Sequence, residues 1–150
     1  MSGADGLAVS SAGGSPILGL AHVGIAVRSI SDSLHAWRRG LGFELVDQET
    51  LESMRLKLAI LRAGEVEIEL LEPTSPESTV ARFLERRGEG IHHLSFFVPD
   101  LEAALARAEA QGLELIDRTP RKGSHGTRIA FLHPRTMRGV LIELCERRKS

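Results

Sequence analysis

The chain carries the same pattern twice. The segment LAHVGIAVRSI at residues 20 to 30 returns as IHHLSFFVPDL at residues 91 to 101, which aligns His22 with His93. In each copy an alternating strand runs into a helix start. Apolar residues then recur at helical spacing: Ile30, Leu34, Trp37 and Leu41 in the first copy, Leu101, Leu105 and Ala108 in the second. Ser29 and Asp100 stand at matching N-cap positions, where a side-chain oxygen can satisfy an unpaired helix N–H. Gly42 and Gly112 stop the two helices, as left-handed C-terminal turns require. Beyond each glycine the composition becomes strand-like, FELVDQ and LELIDR, and two further apolar strands close each copy. They fall at 55–62 and 65–71 in the first copy, joined by the Ala63-Gly64 turn, and at 127–132 and 139–145 in the second. VEIELLE at 66–72 matches VLIELCE at 140–146 and so aligns Glu69 with Glu143.

The repeat predicts an α+β fold of two tandem βαβββ modules, neither of which can cover its own sheet. Module one spans about 17–73, a linker containing one helix about 74–89, and module two about 90–146, within a single domain of residues 17–150. Residues 1–16 read as a flexible tail, because they lack the basic flank and long apolar run of a secretory signal. No apolar stretch approaches the ~20 residues that a membrane span requires. The 19 Lys+Arg are scattered and nearly balance the 20 Asp+Glu, which argues against nucleic acid or a membrane surface and favours a small polar substrate. The single cysteine, Cys145, excludes an intramolecular disulfide and points to a reducing cytoplasm. It reads as a small buried filler, since no partner base is evident.

Side chains alternate between the faces of a strand, so parity tests which of these residues can meet. His22 shares a face with Gly24 and Ala26, while Val23, Ile25 and Val27 point to the helix side. His93 likewise shares a face with Ser95 and Phe97. Glu69 opposes Ile68 and Leu70, and Glu143 opposes Ile142 and Leu144. His22, Glu69, His93 and Glu143 therefore occupy one face, away from the helices, and His92 falls on the other. A lone strand histidine is ordinarily hydrogen-bonded structure. A buried carboxylate, however, costs on the order of several kcal/mol unless it is paired or metal-bound. Histidine followed by glutamate, twice and in register, predicts a divalent metal site with nitrogen and oxygen ligands, suited to Zn, Co, Ni, Mn or Fe(II).

At LAHVGIAV, IELLEP, FLERRGEGIHHLSF, PRKGSHGTRIAFLHP and GVLIELC the chain resembles the methylmalonyl-CoA epimerases of the vicinal oxygen chelate superfamily, over nearly all of residues 17 to 145. The resemblance implies a curved eight-stranded mixed sheet around a metal-binding cleft, a homodimer, and one divalent ion per chain, with cobalt favoured. It also implies that His22, Glu69, His93 and Glu143 are ligands, Glu69 the weaker, and that Glu143 doubles as an acid/base group. The implied reaction is epimerisation of (2R)- and (2S)-methylmalonyl-CoA by proton abstraction alpha to the thioester. The second acid/base glutamate of some epimerases is missing, since ESMRLKLAIL places Leu56 or Lys57 near that position. Glu52, then Lys57, then a bound water are the substitutes. Arg121 and Lys122 are candidates for the phosphates of the acyl-CoA substrate, His125 for the site mouth, and His35 and His133 read as surface residues. The competing readings are a glyoxalase-like lyase or another metal enzyme of the superfamily, which would use the same ligands, and a metal-free binding or resistance protein, which would lose them. An extradiol dioxygenase is disfavoured by the absence of tyrosine.

Overall fold

The alternating segment predicted to open the first module does form a strand, β1 (Gly19–Ala26), in the computed structural model, which describes residues 16–147. The expected tail, residues 1–16, lies outside the described residues except for its last position. After β1 come α1 (Ile30–Leu34), β2 (Glu44–Leu51), β3 (Leu56–Ala63), β4 (Val66–Pro73) and the linking helix α2 (Thr79–Arg87). The second module follows with β5 (Gly90–Phe97), α3 (Leu101–Ala110), β6 (Arg121–Lys122), β7 (Arg128–Leu132) and β8 (Ile142–Glu146). All eight strands join one mixed sheet in the order β2-β3-β4-β1-β5-β8-β7-β6. In each half the module's last strand lies parallel to its first, β4 beside β1 and β8 beside β5, and the two halves meet along the antiparallel β1–β5 pair.

The caps behave as their chemistry dictates. The Ser29 side chain accepts from the Asp32 N–H and that of Asp100 from the Ala103 N–H, while Gly42 and Gly112 take positive φ. The first helix is not α-helical throughout. Its second half, His35–Gly40, widens into a π-helical turn in which the Leu41 N–H reaches back to the Ala36 carbonyl, and Trp37 packs against Phe43.

Val23, Ile25 and Val27 pack with α1 on the convex face, and Leu94, Phe96 and Val98 do so with α3. The concave face of module one is filled by α2, whose Val80 and Leu84 pack against Ala26, Leu58, Ile60 and Leu71. The sheet curls until its opposite edges are strapped together. The His125 N–H, on the turn between β6 and β7, donates to Glu49 of β2 at 3.1 Å, and the His125 ring meets Asp47 at 2.8 Å.

One expected strand is corrected. LELIDR, residues 113–118, forms only an isolated bridge between Leu115 and Leu132, and the edge strand is instead the two-residue β6. The Ile116 and Asp117 N–H groups both fall on the Phe131 carbonyl, and the Asp117 carboxylate accepts the Phe131 N–H at 2.9 Å. A side chain thus occupies a position that a ladder hydrogen bond would need.

Candidate metal centre

His22, His93 and Glu143 come together on the concave face, where one ligand atom from each lies within 4.8 Å of the others. Register explains the meeting. Gly24 of β1 stands opposite His93 of β5, His22 opposite Ser95, and Ser95 beside Glu143 of β8. The two Nε2 atoms of His22 and His93 are 3.0 Å apart, and Glu143 lies 3.4 Å from His22 Nε2 and 3.7 Å from His93 Nε2. Gly24 has its own reason to lack a side chain: a Cβ there would fall 2.2 Å from His93 Cε1. In the repeat Gly24 aligns with Ser95, so the two modules use the same position differently. One yields space to an imidazole, and the other donates a hydroxyl to Glu143 Oε2 at 2.5 Å.

Glu69 joins from the far side of His22, its Oε2 being 3.2 Å from Nδ1, and it accepts from the Ser124 hydroxyl at 3.2 Å. It stands outside the three-atom cluster of His22, His93 and Glu143.

His92 is where parity reasoning fails. Two β-bulges interrupt the β1–β5 pairing and leave Ala21 and His92, the residues just before each clustered histidine, without a partner. A bulge breaks the alternation of side chains. His92 therefore turns toward the concave side, its Nδ1 lying 3.0 Å from His93 Nδ1 and its ring 5.0 Å from that of Phe83 on α2. Both nitrogens of each clustered histidine are now accounted for: Nε2 faces the common centre, and Nδ1 faces Glu69 in one case and His92 in the other. Ser95, Ser124 and Gly24 are the other contributors without a role in the sequence reading, although parity already puts Gly24 and Ser95 on the correct face.

Burial dominates the electrostatics. His22, Glu69, His93 and Glu143 are each only 4–5% exposed. Desolvation lowers His22 from 6.5 to about 4 and holds His93 well below its ordinary value. The same desolvation raises Glu143 from 4.5 to about 7, against the Ser95 hydrogen bond, and lifts Glu69 well above its usual range with help from the Glu143 charge. Neutral imidazoles are what a metal requires, and a dication offsets the desolvation of the carboxylates. The donor set thus fits a divalent ion by its chemistry and its spacing. The cavity among these groups measures about 30 Å³, above the ~10–15 Å³ that admits a water or an ion-sized guest. Leu51, Met54, Gly123 and Ser124 are among the residues that line it.

The remaining sequence candidates lie farther out. Glu52 is exposed in the turn between Leu51 and Met54 and does not line the cavity. Lys57 is on the convex face and pairs with Glu72 at 3.7 Å, so it cannot reach the cleft from where it stands. Arg121 is engaged by Asp117 at 2.7 Å and lies over the Phe131 ring; Lys122 is exposed. Cys145 is buried, its thiol pushed up to about 12 by desolvation, and it acts as filler. His35 is exposed, and His133 is half-buried with Nδ1 accepting from the Arg135 N–H. Among the described residues no helix is long and apolar enough to cross a membrane.

Residues 21–131 match the family model described as the Glyoxalase/Bleomycin resistance protein/Dioxygenase superfamily. The uncharacterized protein YqjC of Bacillus subtilis is 44% identical over 85% of this chain and 91% of its own length. The structure of methylmalonyl-CoA epimerase from Mycobacterium tuberculosis superposes with a TM-score of 0.87 at 37% identity, covering 91% of this chain and 93% of that one. A variant of the Streptomyces coelicolor methylmalonyl-CoA epimerase, solved with 2-nitronate-propionyl-CoA, superposes at 0.84 with 34% identity over 87% of this chain and 94% of that one. The chain is thus related to methylmalonyl-CoA epimerases and, at higher identity, to an uncharacterized protein.

Proposed function

Because the chain belongs to the glyoxalase/bleomycin resistance protein/dioxygenase superfamily, we propose that it is a divalent-metal-dependent epimerase interconverting (2R)- and (2S)-methylmalonyl-CoA. The observation that carries this reading is the shared burial of His22, His93 and Glu143 around one point, in a fold shared with the relatives named above. His22, His93 and Glu143 would hold the ion, and Glu69, expected as the weaker fourth ligand, would support it from the Nδ1 side of His22 by orienting that ring. Bound there, a divalent ion (cobalt, or one of zinc, nickel and manganese) would supply Lewis-acid charge that stabilises negative charge developing on the substrate. Everything else falls to the protein.

Glu143 is the group placed to exchange a proton with C2. In the metal-free protein burial raises this carboxyl from 4.5 to about 7; a bound dication would offset that burial and keep it ionised, ready to accept the proton. The Ser95 hydroxyl holds Oε2, which fixes the orientation of the carboxyl. His92 Nδ1 faces the outer nitrogen of His93; accepting its N–H there would leave the Nε2 lone pair for the centre. For the opposite face of C2, Glu52 is the side-chain candidate, because Leu51 and Met54 beside it line the cavity. It must turn inward to act.

The reading is tested by incubating metal-loaded protein with a single enantiomer of methylmalonyl-CoA and following the other by chiral analysis. Interconversion that stops on chelation is expected. An unchanged enantiomer in the presence of bound metal and bound thioester would contradict it.

A further inference from the structure

A second, larger concavity adjoins the buried centre. It encloses about 600 Å³ and shares Thr79, His92 and His93 with the small cavity, so the two meet at the wall that His92 and His93 form. Its walls are of two kinds. One side is α2, which presents Arg82, Arg86 and Arg87. The other is apolar, and Ile91, Ile116 and Val140 lie open there at 65%, 44% and 41% exposure. No carboxylate is among the residues lining the groove.

The guanidinium groups are largely uncommitted. Arg87 lies over the Phe83 ring at 5.9 Å, whereas Arg82 and Arg86 make no ion pair among the described residues, and only the charge of Glu77 is coupled to that of Arg82. Basic residues in the last turn of a helix complement its dipole, which accounts for Arg86 and Arg87. It does not account for Arg82, one turn earlier on the same face as Arg86. An apolar floor beside an unpaired cationic rim calls for an elongated ligand with an apolar stem and an anionic end.

We propose that this groove seats the coenzyme A arm of the thioester substrate, with its phosphates on Arg82 and Arg86 and its pantetheine stem across Ile91 and Val140. The assignment rests on the acyl-CoA reading given above. It moves the phosphate contacts from Arg121, already paired with Asp117, to the exposed arginines of α2.

The test measures equilibrium binding of propionyl-CoA and of propionyl-pantetheine, the same thioester without phosphates, to the metal-loaded full chain. R82E/R86E should weaken propionyl-CoA at least ~10-fold, given the usual strength of charge-assisted hydrogen bonds. Propionyl-pantetheine binding and the melting temperature should stay unchanged, and R82Q/R86Q should show a smaller loss of the same kind. Equal binding of propionyl-CoA by wild type and R82E/R86E would overturn the assignment. So would a loss confined to R121E/K122E. A shift in sedimentation with equal loss of both thioesters would overturn it too, marking the groove as a face between copies of the chain. If the wild type bound no CoA thioester, the acyl-CoA reading would fall and the groove assignment with it. If the phosphate-dependent loss appeared without epimerisation, the groove would stand and the reaction assignment would fall.

Discussion

Replacing Gly24 by alanine puts one methyl group where the structure has no room for it. The new Cβ would lie 2.2 Å from Cε1, 2.5 Å from Nδ1 and 2.8 Å from Nε2 of His93. Carbon atoms in contact sit ~3.5–4.0 Å apart, so the ring must retreat by ~1.3 Å or more. Metal–ligand distances tolerate only about ±0.2 Å. His93 has little freedom to retreat and return, being boxed in by the Phe131 ring at 5.5 Å and by His92. Loss of an outer-shell partner alone commonly costs ~10–100-fold in metal affinity, and displacing a ligand should cost at least the upper figure, about 100-fold. The fold itself should lose a comparable amount, roughly 1–3 kcal/mol, the usual cost of overpacking. The assay is competitive titration of Co²⁺ or Zn²⁺ against a chromophoric chelator, with thermal melts of the metal-free proteins alongside. A Gly24→Ala protein that binds metal within a few-fold of wild type would refute the claim that His93 is held in place as a ligand.

Three further outcomes follow from the same geometry. Metal-saturated Glu143→Gln should remain at least ~100-fold down in C2 proton exchange, because an amide cannot carry the proton. Glu69→Gln should recover most activity with excess metal, and equal recovery by both variants would remove the acid/base role of Glu143. His92→Ala should weaken metal binding ~10–100-fold while leaving the metal-free melt nearly unchanged, and an unaltered affinity would show that His92 does not orient His93. In metal-free protein the pH dependence has two opposed limbs. His22 is lowered from 6.5 to about 4 on folding, so the unfolded chain binds more protons in that window and stability is lost as pH falls through it. Glu143 is raised from 4.5 to about 7, so its contribution is present at low pH and lost as pH rises through that window. Metal-free melting should peak at mildly acidic pH and the gain on adding metal should grow toward neutrality. A metal-induced gain that shrinks with rising pH would be inconsistent with these shifts.

What the sequence makes legible is whatever depends on local alternation. His22, His93 and Glu143 are on one face because strands alternate, and the repeat identifies them without knowledge of the pairing. Ser29, Asp100, Gly42 and Gly112 act as local chemistry dictates. Features that arise from long-range pairing are not written locally. The bulge that turns His92 inward belongs to the register between β1 and β5, and nothing in IHHLSF marks it. Its counterpart Ala21 carries no signal at all. Ser124 and His125 sit in a stretch that reads as a turn, and their contacts with Glu69 and β2 exist only because the sheet curls its edges together. Residues 113–118 have strand composition, yet the Asp117 side chain takes part of the ladder for itself. Lys57, by contrast, follows the local alternation: it projects from the face of β3 opposite Leu56 and Leu58, which already sets it apart from the cleft.

Proton exchange at C2 tests the proposed reaction most directly. Metal-loaded protein incubated with methylmalonyl-CoA in deuterated water, and followed by mass spectrometry of the acyl group, should incorporate one deuterium at C2 in a reaction that chelation abolishes and Glu143→Gln nearly abolishes. Methylmalonyl-CoA that stays unlabelled while bound to metal-loaded protein would contradict the epimerase reading and leave only a buried metal centre.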